Sequence, residues 1–100
     1  MEKQQLPIGS VVSVQGVDEN VLVMSQFPKI KIKGIEGYFD FGGTILPLGF
    51  SGENLVLFNK EDITDLLFIG YIDKSFQEFL KAANTPSNFE GAVRFTRGDL

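Results

Sequence analysis

The stretch FNKEDITDLLFIGYID, residues 58–73, sets four carboxylates, Glu61, Asp62, Asp65 and Asp73, around an apolar block. Acids at this density could form a general acid and base pair, or supply hard oxygen ligands to a cation. The spacing argues against both. A calcium loop needs alternating ligands closed by a terminal Glu, and neither is present. The acids fall instead where structural elements begin. Glu61 and Asp62 follow Asn59, whose side chain suits the orphan amides of a short helical turn, and Asp73 precedes the helical pattern KSFQEFLKAAN. Their expected role is capping.

Composition narrows the chemistry further. The 100 residues contain no His and no Cys. The usual general base near neutral pH, the commonest metal ligand and any thiolate nucleophile are therefore absent. What remains is carboxylate chemistry, with Glu36, Asp40 and Glu53 in a glycine-rich middle as the available members. Gly42, Gly43, Gly49 and Gly52 lack the Lys-Ser/Thr ending and the strand–loop–helix context of a phosphate loop. Tyr38, Phe39 and Phe41 could stack bases, but a formal charge of −4 disfavours a phosphate backbone or an anionic lipid surface. No enzyme activity, cofactor, metal, nucleic acid or membrane partner is expected. The opening MEKQQLPIGS has no apolar segment of the kind that directs export, and no apolar run approaches the ~20 residues of a membrane span. A cytoplasmic location is the expectation.

The elements that must position any site follow from periodicity. Ile8–Gln15 is β-branched, and alternation puts Val12 and Val14 on one face of a first strand. GVDEN then reads as the turn into VLVMSQF, the second strand of a hairpin. KIKIKG alternates strictly, so Lys29, Lys31 and Lys33 face solvent on a strand they protect from edge pairing. GYFDFGG is a further strand with Phe39 and Phe41 on one face and Tyr38 and Asp40 on the other. LVLFN, residues 55–59, lacks alternation and is expected to be central and covered on both faces, and DLLFIGY is a similar run. The spacing of Phe76, Phe79, Leu80 and Ala83 predicts a helix over 74–83 that covers the sheet. GAVRFTRG closes the chain with alternation fit for a short edge strand. The fold class expected is α+β: a curled antiparallel sheet of about five strands, closing toward an SH3-like barrel, with one C-terminal helix. One domain spans 1–100, with mobile ends at 1–5 and 97–100.

The segments LPIGSVVSVQG, YFDFGGTILPLGF and ENLVLFNKEDITDLLFIGYIDKSFQEFL resemble a family of small single-domain proteins of Gram-positive bacteria. That family is catalogued as a domain of unknown function and is often encoded beside LXG toxins of the type VIIb secretion system. The resemblance covers residues 6 to about 80. It implies a non-enzymatic chaperone or targeting factor that binds a cognate secreted toxin. The chain departs from the family pattern at Leu48, where an acid is expected between Pro47 and Gly49. The residues alone fit other binding modules as well, including a small ligand-binding or carboxylate-dependent enzyme domain. GGTILPLGFSGEN is more apolar than a loop requires, so Ile45, Leu46, Leu48 and Phe50 either fold back over the core or face a partner, and a module without catalytic groups acts through its surface. The partner-binding residues expected are therefore Tyr38, Phe41, Leu46, Leu48 and Phe50.

Overall fold

Alternation becomes geometry at Val12 and Val14, which point into the core from β1 (Val11–Val14), and at Val21 and Val23, which do so from β2 (Val21–Gln26). The computed structural model describes residues 4–100. Beyond the first hairpin lie β3 (Lys29–Ile32), β4 (Ile35–Tyr38), β5 (Phe41–Ile45), β6 (Leu55–Phe58), β7 (Ile63–Phe68) and the helix α1 (Lys74–Ala83). Five strands form one antiparallel sheet in the order β6-β5-β2-β1-β7, and β3 and β4 pair as a separate hairpin. Class and strand number are those expected from the sequence. The sheet stays open, with β6 and β7 at opposite edges, so closure toward an SH3-like barrel does not occur.

The hairpin is the bent continuation of the β2–β5 pair. Gln26 opposes Phe41 at the end of that pair. The Phe27 amide then donates to the Asp40 carbonyl (3.1 Å) and the Phe39 amide to the Pro28 carbonyl (3.2 Å), before Lys29 opposes Tyr38. Phe27 makes the bend with φ of 47°, a conformation a bulky side chain adopts only when its surroundings hold it. Its ring is held against Tyr38, Phe79 and Phe89, at centroid distances of 5.9, 5.9 and 4.9 Å. At the hairpin tip Lys33 and Gly34 both have positive φ, the requirement of a two-residue type I′ turn.

The main core is Val12, Val14, Val21, Val23, Phe41, Phe58 and Ile63. Phe41 stacks on Phe58 across β5 and β6. A Cβ at Gly43 would meet Val21 Cγ1 at 2.6 Å and the Leu22 carbonyl at 2.7 Å, so the close approach of β5 to β2 requires glycine there.

Three expectations are corrected. LVLFN is not central: β6 is an edge strand, its Leu55 is 41% exposed, and only Phe58 at its end is buried. DLLFIGY forms the opposite edge, exposed on both faces after Ile63. The helix does not cover the sheet. Phe76, Phe79 and Leu80 are half-buried, no residue of α1 is buried, and the stripe meets the aromatic corner at Phe27. Apolar residues on both faces of a strand express what a third element could cover, and here the helix lies elsewhere. Of the ends expected to be mobile, 1–3 lie outside the described residues. Gln5 is buried and donates to the Asp40 carbonyl (2.9 Å), and Arg97–Asp99 forms a 3-10 turn whose Arg97 donates to the Leu57 carbonyl (3.0 Å).

Candidate functional site

The acids of the opening stretch do separate work. Asp73 caps α1 by accepting from the Phe76 amide (2.8 Å), as its position predicts. Asp62 accepts from the Asn59 amide (2.8 Å) at the start of a 3-10 turn. Asn59 itself departs from expectation. Its carboxamide turns inward, accepting from the Asp40 amide (2.8 Å) and donating to the Phe95 carbonyl (2.7 Å), both buried bonds. Among the described residues no group of three or more metal-ligating side chains converges.

Asp40 is the centre of the polar site. It is 3% exposed at the turn between β4 and β5, where one carboxylate oxygen accepts from the Lys60 amide (2.9 Å). Arg94 grips both oxygens, through Nε (3.2 Å) and Nη2 (2.6 Å), and its guanidinium reaches Glu61 at 3.1 and 2.7 Å. These bonds, first to Asp40 and then to Glu61, hold the guanidinium above its ordinary pKa. The phenol of Tyr38 is also pushed up, chiefly by burial and then by the Asp40 charge, with Arg94 opposing.

The expected partner-binding residues differ in exposure. Phe41 is fully buried in the core and is withdrawn from any surface role. Tyr38 is half-buried on β4, packed on Phe27 and Phe89. Leu46 is half-buried, whereas Leu48 and Phe50 project from the β5–β6 loop, 81% and 55% exposed. That loop is braced from within, because Asn54 accepts from the Ser51 amide and donates to the Gly49 carbonyl, both at 2.8 Å.

A larger apolar surface lies at the far edge of the sheet. Leu66, Leu67, Phe68, Ile69, Tyr71 and Ile72 are each between 46% and 76% exposed along β7 and the segment after it. Successive large side chains are exposed on both faces of the strand, more apolar exposure in one run than scattered surface residues give. Among the described residues β7 pairs only with β1, and its register shifts twice against that neighbour. Sequence reasoning missed this surface. The signal was the uncharged run Leu66–Ile72, which periodicity alone assigns to an interior.

Residues 5–79 match the model of a family described as a domain of unknown function, DUF4176. The chain belongs to this family. The DUF4176 match takes in all seven strands, the 3-10 turn Lys60–Asp62 and α1 as far as Phe79, leaving the later 3-10 turns Pro86–Phe89 and Arg97–Asp99 and Arg94 outside it. Neither the curated proteins nor the solved structures contain a match to the chain.

Proposed function

We propose that the protein is a non-enzymatic binding module that holds a protein partner, acting as a chaperone or targeting factor for a secreted LXG-type toxin of the type VIIb system. The observation that carries the binding role is the exposed apolar edge from Leu66 to Ile72. An edge strand without Lys or Pro, and with large side chains on both faces, is a template for an added strand. The toxin as partner rests on the family resemblance. Leu48 and Phe50 form a second, smaller apolar projection on the β5–β6 loop.

Co-expression with an LXG-type toxin of the same genome tests the reading, with a complex that survives purification as the expected result. Leu67→Lys with Phe68→Lys should weaken that complex by about 1–3 kcal/mol, the scale of a hot spot, while leaving the thermal midpoint unchanged. Absence of any complex at micromolar concentration would refute the chaperone role. Loss on Leu48→Ser with Phe50→Ser, and not on the β7 changes, would move the interface to the loop. A cleft of about 620 Å³ beside Phe27, Tyr38 and Phe89, with Lys29 and Lys31 on its wall, favours a second reading as a small-ligand domain. Thermal stabilisation by a small aromatic acid, with no toxin complex, would select it.

A further inference from the structure

The chain after the helix is held in the manner of a bound peptide. Arg94 bridges to Tyr38 in parallel with β4: the Tyr38 amide donates to the Val93 carbonyl and the Phe95 amide to the Tyr38 carbonyl, each at 2.9 Å. The Phe95 ring lies over Gly37, where a Cβ would come within 2.5 Å of its Cε2, and it faces Phe39 at 6.1 Å. Asn59 holds the Phe95 carbonyl, and Asp40 takes the Arg94 fork. A strand edge, an aromatic slot and a buried carboxylate together form a receptor for an extended segment.

Part of that receptor is held by residues outside the segment. Asp40 and Asn59 are fixed by each other and by the Lys60 amide. Phe39 (0% exposed) and Phe95 (6%) are buried together as a pair apart from the Val12–Ile63 cluster, and the family match ends at Phe79. Immediately before the bridge, Glu90 to Val93 are exposed, and Gly91 to Val93 share the lining of the 620 Å³ cleft with the β3–β4 hairpin. The side-chain contacts with Asp40 and Gly37 are made by Arg94 and Phe95, and Arg97 adds a bond to the Leu57 carbonyl.

We propose that the β4 edge with Gly37, Asp40 and Asn59 is a binding site for an extended peptide in which arginine is followed directly by an aromatic residue. Residues 93–97 fill it in cis. Guanidinium is selected because one planar fork serves both oxygens of Asp40 while reaching Glu61, a geometry a lysine ammonium lacks. The tethered segment competes at millimolar effective concentration, so a peptide in trans gains access when the tether's own contacts are weakened. The inference is independent of what binds β7.

The test uses the full chain carrying Arg94→Ala and Phe95→Ala, titrated into a labelled peptide AVRFTRGDL and followed by anisotropy. Saturable binding at least about tenfold tighter than to the unmodified chain is expected. Adding Asp40→Asn, or replacing the peptide arginine by lysine, should each reduce it about tenfold or more. A folded variant that does not bind, or binds equally well after Asp40→Asn, would overturn the proposal. So would a variant that circular dichroism shows to be unfolded, because the segment would then belong to the core. Hydrogen exchange on the unmodified chain gives an independent reading. The Tyr38 and Phe95 amides should exchange at least about 100-fold faster than the Val23 amide, and equal protection would count the segment as core. A dimer that forms with concentration and is abolished by the double change would support the same site, with a second copy supplying the peptide.

Discussion

At Asp40 a buried carboxylate accepts from a backbone amide and from an arginine, while Glu61 holds the same arginine at the surface. The side chains of Asp40 and Glu61 are 5% and 56% exposed, so the two ion pairs should differ in worth. Asp40→Asn is expected to cost about 1.5–3 kcal/mol in urea denaturation, the range for buried hydrogen bonds to a charge. Glu61→Gln should cost less than about 1 kcal/mol, and that loss should shrink further in molar salt. Equal costs would mean that burial does not separate the pairs. Tyr38 gives a pH signature. Its phenol is held above the free value of 10.0, so the folded state keeps its proton after the unfolded chain has begun to lose it. Stability from this group is intact below pH 10 and falls as pH rises through the folded value. Absorbance at 295 nm should show a tyrosine titrating late, and Tyr38→Phe should remove that component together with its part of the alkaline loss of stability.

Among the elements, the middle loop and the strand before it are neighbours in sequence and opposites in energetics. Phe41 and Phe58 stack in the core at 5.3 Å, whereas Leu48 stands in solvent. Phe58→Ala should cost about 3–5 kcal/mol through the cavity it leaves, and Leu48→Ser should stay within about 0.5 kcal/mol. A loop that closed the core would reverse that order, and thermal unfolding of the two variants checks it. The contrast shows what was legible. Alternation in VVSV assigned the inward Val12 and Val14 of β1, because one face of that strand lies on the core and the pattern is local. The run Leu66–Ile69 carries no alternation, and a strand at the edge has the same composition as one at the centre when large side chains occupy both faces. Strand order depends on pairings distant in sequence, which no local pattern records. Asn59 illustrates the same limit, since its position suits a cap but Asp40 and Phe95, 19 and 36 residues away, recruit its side chain.

On the scale of the whole molecule, charge and the apolar edge oppose each other. Net repulsion from a charge of −4 keeps copies apart, while the uncharged segment from Leu66 to Ile72 offers each copy a surface for the next. The balance should shift near the isoelectric point of about 4.6, where repulsion between copies vanishes and the apolar edge retains its area. Light scattering is therefore expected to rise as pH falls from 7 toward that point. Leu67→Thr with Phe68→Thr leaves the charge and the isoelectric point unchanged, keeps strand-compatible side chains and removes much of the exposed apolar surface. This double variant should stay monomeric by light scattering at pH 4.6 while unfolding at a midpoint near that of the unmodified chain, because both positions are more than half exposed. Association of the variant equal to that of the unmodified chain would place the adhesive surface elsewhere. Leu48→Ser with Phe50→Ser, titrated in parallel, would then show whether the β5–β6 loop carries it.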